Sequence, residues 1–282
     1  MTVAPESSSP LDPKIEIEVK GDSGAGSSDV PLLSLRALTK HFGPVEALRH
    51  CNLDIPAGKV TALIGDNGAG KSTLIKTISG IYPPSSGEIF WEGKPVHIHS
   101  PRESDALGIT TVYQDLALCD NLDIVQNMYL GHEATKFGLL DEIEMELETK
   151  NLLRDLSVST VQSVRQLVGS LSGGQRQAIA VARAVMRDTK LVIMDEPTAA
   201  LGVSQTNLVL SLIQKLASRG IAVLVISHNL TDVFAVADRV AVLYLGNLIS
   251  SGPVSEYDTA SAVDLITTGT TSRDRAAVAA AS

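Results

Sequence analysis

The chain has 282 residues, 44% apolar and 20% charged, with a formal net charge of −9. This composition suits a globular domain and argues against a surface built as a whole to hold nucleic acid. No apolar run approaches the roughly 18 residues needed to cross a bilayer, and the start lacks the basic-then-apolar pattern of a secretory leader. The two cysteines, Cys51 and Cys119, lack metal-ligand spacing and read as free thiols in a reducing compartment. A cytosolic protein is expected.

Residues 1–29 are rich in Ser, Pro, Gly and acidic side chains and predict a disordered tail. Residues 271–282 read as a second flexible tail, leaving an ordered domain over 30–270. That domain opens with strands over Leu32–Leu35 and Val45–Ile55, around a turn at His41-Phe42-Gly43-Pro44. Val60–Ile64 is a short apolar run, the mark of a buried strand. A glycine-rich loop follows, then a helix from Lys71 to Ile78 that stops at Gly80. Gly87–Trp91 alternates like a strand. Ser100-Pro101-Arg102-Glu103 has the cap, the proline and the acidic residue of a helix start. That helix should end at Gly108, and Ile109–Tyr113 resumes a strand.

From Asp115 to Ser170 the pattern becomes helical, with Leu122–Leu130 and Asp141–Leu156 in helical spacing and no buried-strand run. An all-helical insert is expected, reaching to about residue 185 with the amphipathic helix after Ser172. Leu191–Met194 and Ile221–Ile226 are wholly apolar, as parallel strands covered on both faces require. A helix over Ser204–Ser218 lies between them. Val240–Tyr244 and Leu248–Ser250 close the sheet. The predicted class is α/β: a mainly parallel sheet with a helical lobe inserted.

Three motifs carry chemistry. Gly65-Asp66-Asn67-Gly68-Ala69-Gly70-Lys71-Ser72 is a complete G-x-x-x-x-G-K-[ST] loop between a strand and a helix. Its glycines let the backbone wrap a phosphate chain, and loop N–H groups and the helix N-terminus supply positive field. Lys71 would reach the β- and γ-phosphates, and the Ser72 hydroxyl would ligate Mg²⁺. Met194-Asp195-Glu196-Pro197 follows an apolar strand, so both carboxylates should emerge at the ligand-binding edge of the sheet. Asp195 could hold Mg²⁺ and Glu196 could accept a proton from water; the alternative is an acidic turn. Leu171-Ser172-Gly173-Gly174-Gln175 opens the amphipathic helix and offers a second anion site, or a plain helix cap.

In this order the three motifs resemble those of the ATPase subunit of an ABC transporter, over about residues 31–268. The resemblance implies a P-loop nucleotide-hydrolase core with an N-terminal antiparallel β subdomain and an inserted α-helical subdomain over about 115–185. Two such cassettes would pack head to tail around ATP and Mg²⁺. Gly65, Asp66, Asn67, Gly68, Ala69, Gly70, Lys71, Ser72 and Thr73 would then bind phosphate. Ser72, Gln114 and Asp195 would hold the metal, and Ser172, Gly173 and Gly174 would meet the γ-phosphate in the partner's site. Glu196 would be the general base, His228 would hold the γ-phosphate, Gln114 would sense metal and water, and Phe42 would stack on adenine.

Thr198-Ala199-Ala200-Leu201-Gly202 departs from the commonest family pattern, which has an acidic residue where Gly202 stands. That variant, with Gln114–Leu118 and Asn127–Gly131, resembles the ATPases of ribose, xylose or fructose importers with a single cassette. The expected partners are transmembrane permease subunits, a second cassette in a homodimer and, indirectly, an extracytoplasmic sugar-binding protein, with no nucleic acid. The expected location is the cytoplasmic face of the membrane. The alternatives are an importer of another small solute or a soluble cassette acting in DNA repair or on the ribosome. His97-Ile98-His99 and the acidic run Asp141–Glu146 read as solvated faces.

Overall fold

The computed structural model describes residues 30–158 and 161–271, so the tail expected over 1–29 and nearly all of that over 271–282 lie outside it. β1 (Leu33–Phe42) pairs antiparallel with β2 (Val45–Ile55) on one edge and with β4 (Ser86–Trp91) on the other. β5 (Lys94–Val96) extends the sheet beyond β4. β1 runs through Phe42, which pairs with Val45, so the expected turn contracts to Gly43-Pro44.

The second sheet has the order β12-β11-β3-β10-β9-β6. Its parallel members are β3 (Val60–Ile64), β6 (Ile109–Val112), β9 (Leu191–Asp195), β10 (Ala222–Ile226) and β11 (Arg239–Tyr244). β12 (Asn247–Pro253) closes one side antiparallel to β11.

The all-apolar strands are explained by burial on both faces. Leu191, Ile193, Ala222, Leu224 and Ile226 join a core with α1 (Lys71–Ile78) and the antiparallel sheet. The alternating Val192, Met194, Val223 and Val225 join a second core with α5 (Gly173–Ala184) and α6 (Val203–Ser218). Each Val, Leu, Ile or Met side chain among them contributes about 1.5–3 kcal/mol on leaving water. A third core packs α7 (Leu230–Val236) and α8 (Thr259–Thr268) on β3 and β11.

α2 (Pro101–Ala106) is capped by Ser100 as expected, but Glu103 reaches one residue further back, accepting from the His99 N–H at 2.8 Å. His97 and His99 lie past the end of β5 rather than on a strand, with ring centroids 6.0 Å apart. Among the described residues no three His, Cys, Asp or Glu side chains gather as a metal site.

The insert between β6 and β9 is not all-helical. α3 (Ile124–Tyr129) and α4 (Glu142–Asp155) are joined through a short hairpin, β7 (Thr135–Lys136) and β8 (Leu139–Leu140). Its two turn residues, Phe137 and Gly138, have φ of 54° and 81°. Gly138 suits that turn, but phenylalanine at positive φ has no local signal, which hid the hairpin from a reading of periodicity. The acidic face of α4 is organised by Arg165, whose guanidinium reaches Asp123, Glu142 and Glu146 at 3.4, 3.1 and 2.8 Å.

Entry into the lobe is fixed by Asn127, fully buried in α3. Its Nδ2 donates to the carbonyls of Cys119, Leu122 and Asp123, and its Oδ1 accepts from the Cys119 N–H at 2.7 Å. Removing the amide leaves the Cys119 N–H without its acceptor and takes one donor from each of three carbonyls, which keep their backbone donors. Asn127→Ala is expected to destabilise the chain by about 1–3 kcal/mol, measured by urea denaturation against the wild type. An unchanged midpoint would show that water replaces the amide at no cost.

Candidate nucleotide site

The phosphate loop leaves β3 and enters α1 through Gly70, whose φ of 109° caps the helix in the left-handed region. A Cβ there would also lie 2.7 Å from the Ala47 carbonyl, so only glycine fits. The N–H groups of Lys71, Ser72 and Thr73, in the first helical turn, have no acceptor among the described residues. Free N–H groups at a helix start suit an anion. Lys71 Nζ folds back over the loop, donating to Gly65 O at 2.7 Å and Asp66 O at 2.9 Å. Burial lowers its pKa, opposed by the carboxylates of Glu196, Asp66 and Asp195.

One cavity of about 560 Å³ brings nine of the expected residues together. Asn67, Gly68, Gly70, Lys71, Ser72 and Thr73 line it with Gln114, Asp195 and Glu196. Asp195 ends β9 and Glu196 follows it, with φ of 51° and its N–H bound to Ile226 O at 2.9 Å. A non-glycine residue at positive φ costs of order 1–3 kcal/mol, and such residues cluster at active sites. Here the Glu196 carboxylate meets His228, two residues past β10. His228 Nδ1 donates to Glu196 Oε2 at 2.9 Å, with the imidazole 73% exposed and the carboxylate 18%. Thr198 Oγ1 donates to Asp232 Oδ2 at 2.7 Å, tying the same two segments a turn further on.

Gly65, Asp66, Ala69 and His228 do not line this cavity, and neither do Phe42, Ser172, Gly173 and Gly174. Phe42 stands at its rim as the strand partner of Val45, which lines it. Ser172, Gly173 and Gly174 begin α5 and do not line the cavity. Ser172 Oγ accepts from the Gln175 N–H, and Gln175 Oε1 accepts from the Ser172 N–H, a complete capping box. Gly173 is exposed, whereas Gly174 is buried, and a Cβ on Gly174 would lie 2.7 Å from Gln205 Cβ in α6. Gly174 is therefore a close-packing glycine that lets the two helix starts touch. Gly202 caps α6 without a side chain; Gln205 Oε1 accepts its N–H at 3.4 Å.

Sequence reasoning missed part of the lining. Val45, Glu46, Ala47, Arg49, Leu245 and Gly246 come from β2 and the β11–β12 turn. None lies in a motif; register alone brings them to the loop.

The chain matches the ABC transporter family over residues 48–199. It belongs to that family. It is 46% identical over 257 residues to the fructose import ATP-binding protein of Rhizobium meliloti, covering 89% of this chain and 98% of that one. The xylose/arabinose import ATP-binding protein of Sulfolobus acidocaldarius is 47% identical over 218 residues, covering 77% and 86%. The ribose import ATP-binding protein of Roseobacter denitrificans is 40% identical over 235 residues, covering 82% of this chain and 45% of its own length. Among solved structures, an ATP-binding cassette of an ABC transporter in its ADP conformation superposes with a TM-score of 0.73 at 27% identity, covering 85% and 96%. A cassette of an ABC transporter complex from Clostridium perfringens gives 0.72 at 28%, covering 86% and 96%. The expected fold is thus that of an ABC ATP-binding cassette, and no helix among the described residues is long and apolar enough to cross a membrane.

Burial, then the neighbouring Glu196 charge, raises the Asp195 carboxyl above its ordinary value. The folded cassette holds that proton more tightly than the unfolded chain. This group therefore favours folding fully below the ordinary carboxylate pKa, and the benefit is lost as pH rises through the raised value. Asp195→Asn is expected to raise the Tm of the nucleotide-free protein at neutral pH, read by thermal denaturation across pH. A lowered Tm would show that the charge is compensated in the folded cassette.

Proposed function

We propose that the chain is the ATP-hydrolysing subunit of a monosaccharide importer, working as a pair of cassettes on separate permease subunits at the cytoplasmic face of the membrane. The observation that carries the hydrolytic part is the shared cavity of Lys71, Ser72, Gln114, Asp195 and Glu196, with His228 bonded to Glu196. Sugar as cargo is supported by the fructose, xylose/arabinose and ribose import names of the relatives.

Phosphoryl transfer needs positioning and charge stabilisation more than covalent help. The N–H groups of the loop and Lys71 would hold the β- and γ-phosphates. The Ser72 hydroxyl, Gln114 amide oxygen and Asp195 carboxylate form an all-oxygen donor set with a single negative charge. That set fits Mg²⁺, which keeps several waters and takes one or two carboxylates beside phosphate oxygens. The metal would supply charge neutralisation between the phosphates. Glu196 takes a proton from the attacking water as its oxygen bonds to the γ-phosphorus, and ADP leaves with the bridging oxygen. His228, donating to Glu196, orients that carboxylate and lies free to turn its exposed ring toward the γ-phosphate.

Ser172, Gly173 and Gly174 do not line the chain's own cavity, and this supports a second copy as the owner of the phosphate they would meet. The permease would dock in the groove of about 890 Å³ between the β6 edge and the lobe, lined by Tyr113, Leu116, Met128, His132 and Arg183. Arg183 ties α5 to the segment after Gln114 by donating to Leu116 O and Ala117 O at 2.8 and 2.9 Å. Movement in that groove would therefore reach both Gln114 and Ser172. ATP then acts as a ligand that favours the closed pair, and hydrolysis releases it.

Glu196→Gln is expected to bind ATP, form a stable dimer by light scattering and lose turnover by at least about a hundredfold. Normal hydrolysis by that variant would remove Glu196 as the base. Uptake of labelled fructose, ribose and xylose in a strain lacking the chain should fall for at least one sugar. Unchanged uptake of all monosaccharides, with loss of another solute, would redirect the cargo.

A further inference from the structure

We infer that Tyr82 is a positioning residue for nucleotide binding, holding the Phe42 ring as the platform for the adenine base. The inference rests on the reading of Phe42 as the base-stacking residue and adds the group that makes it a fixed surface.

Tyr82 follows α1, its N–H donating to Lys76 O at 3.0 Å. Its ring meets Phe42 nearly perpendicular, with centroids 5.1 Å apart and planes at 78°. This is the edge-to-face geometry that the aromatic quadrupole favours. Two ammonium groups flank the pair. Lys40 Nζ lies 5.2 Å from the Phe42 centroid and 5.8 Å from that of Tyr82, and Lys76 Nζ lies 5.7 Å from Tyr82. Both lysines are within the reach of cation–π attraction. Lys40 is also anchored, donating to Pro83 O at 2.8 Å.

The Tyr82 hydroxyl makes no hydrogen bond among the described residues, so the ring is the part in use. Phe42 is 42% exposed, so burial alone does little to fix its rotamer. A free phenyl ring on a hairpin end would lose rotamer freedom on each stacking event. A perpendicular neighbour removes that freedom beforehand and does not itself form a parallel stack. The arrangement also joins two elements of the site. Phe42 belongs to the β1–β2 hairpin at the cavity rim, and Tyr82 to the segment just after the helix that the phosphate loop begins.

The test uses the full chain. Steady-state ATPase assays give KM and kcat; calorimetry in the Glu196→Gln background gives the affinity for ATP and for inorganic tripolyphosphate. Tyr82→Ala is expected to raise KM and Kd for ATP about three- to tenfold, the range an edge-to-face pair supports. kcat and tripolyphosphate affinity should stay unchanged, and Tyr82→Phe should match the wild type. Equal weakening of ATP and tripolyphosphate, a fall in kcat, no effect of Tyr82→Ala, or failure of Tyr82→Phe to match would each overturn the inference. Phe42→Ala separates the two levels. If it weakens ATP binding while Tyr82→Ala does not, only the role of Tyr82 falls. If Phe42→Ala binds ATP normally, the base-stacking reading falls and takes the inference with it.

Discussion

The parallel registration of β3, β10 and β9 is the constraint on which the site depends. Leu63 sits opposite Ile226, and Ile226 opposite Asp195, so three neighbouring strands reach one row together. The residues just past that row are the phosphate loop from Gly65, His228 and Glu196. A shift of one residue in either pairing would turn alternate side chains to the other face and separate the groups. The shift is resisted because both faces of these strands are buried, Val192 and Val223 toward one core and Ile193 and Leu224 toward the other. Apolar packing thus holds the geometry of a polar site that has little cohesion of its own.

That polar site carries several unfavourable features. Glu196 adopts a positive φ, Asp195 holds its charge against burial and against Glu196, and Lys71 holds its own against burial. The pair His228–Glu196 and the bond from Thr198 to Asp232 secure the two loops that bear this strain. The arrangement follows the usual relation between stability and function: charges are kept where a triphosphate and a metal would complement them, at some cost to the empty fold.

The lobe shares an apolar core with β9, β10 and α6, and a few residues fix its internal joints and its seat on α6. Asn127 closes the loop before α3, Arg183 fastens the segment after Gln114 to α5, and Gly174 lets α5 rest on Gln205 of α6. Such joints leave rigid pieces able to move as units, since packed interfaces change by discrete steps rather than by stretching. Among the described residues, α5 carries Ser172 at one end and Arg183 at the other, so one rigid helix links the outward face of the cassette to the groove beside β6.

Much of this was legible in the chain itself. Strand β3, the loop after it and α1 fall where the motif and the glycines place them, and α4 runs between the expected residues 141 and 156. Local rules suffice there: apolar period, caps and glycine at positive φ act over a few residues. The β7–β8 hairpin was hidden because Phe137 takes a conformation its side chain does not advertise. The same holds for the pairing of Phe42 with Tyr82, of His228 with Glu196 and of Arg183 with the carbonyls after Gln114. By itself the sequence determined which short segments could wrap phosphate, start helices or form two-sided strands. Only the tertiary structure decided which of those segments meet, because strand register and core packing set distances between residues far apart in the chain, and no local pattern encodes them.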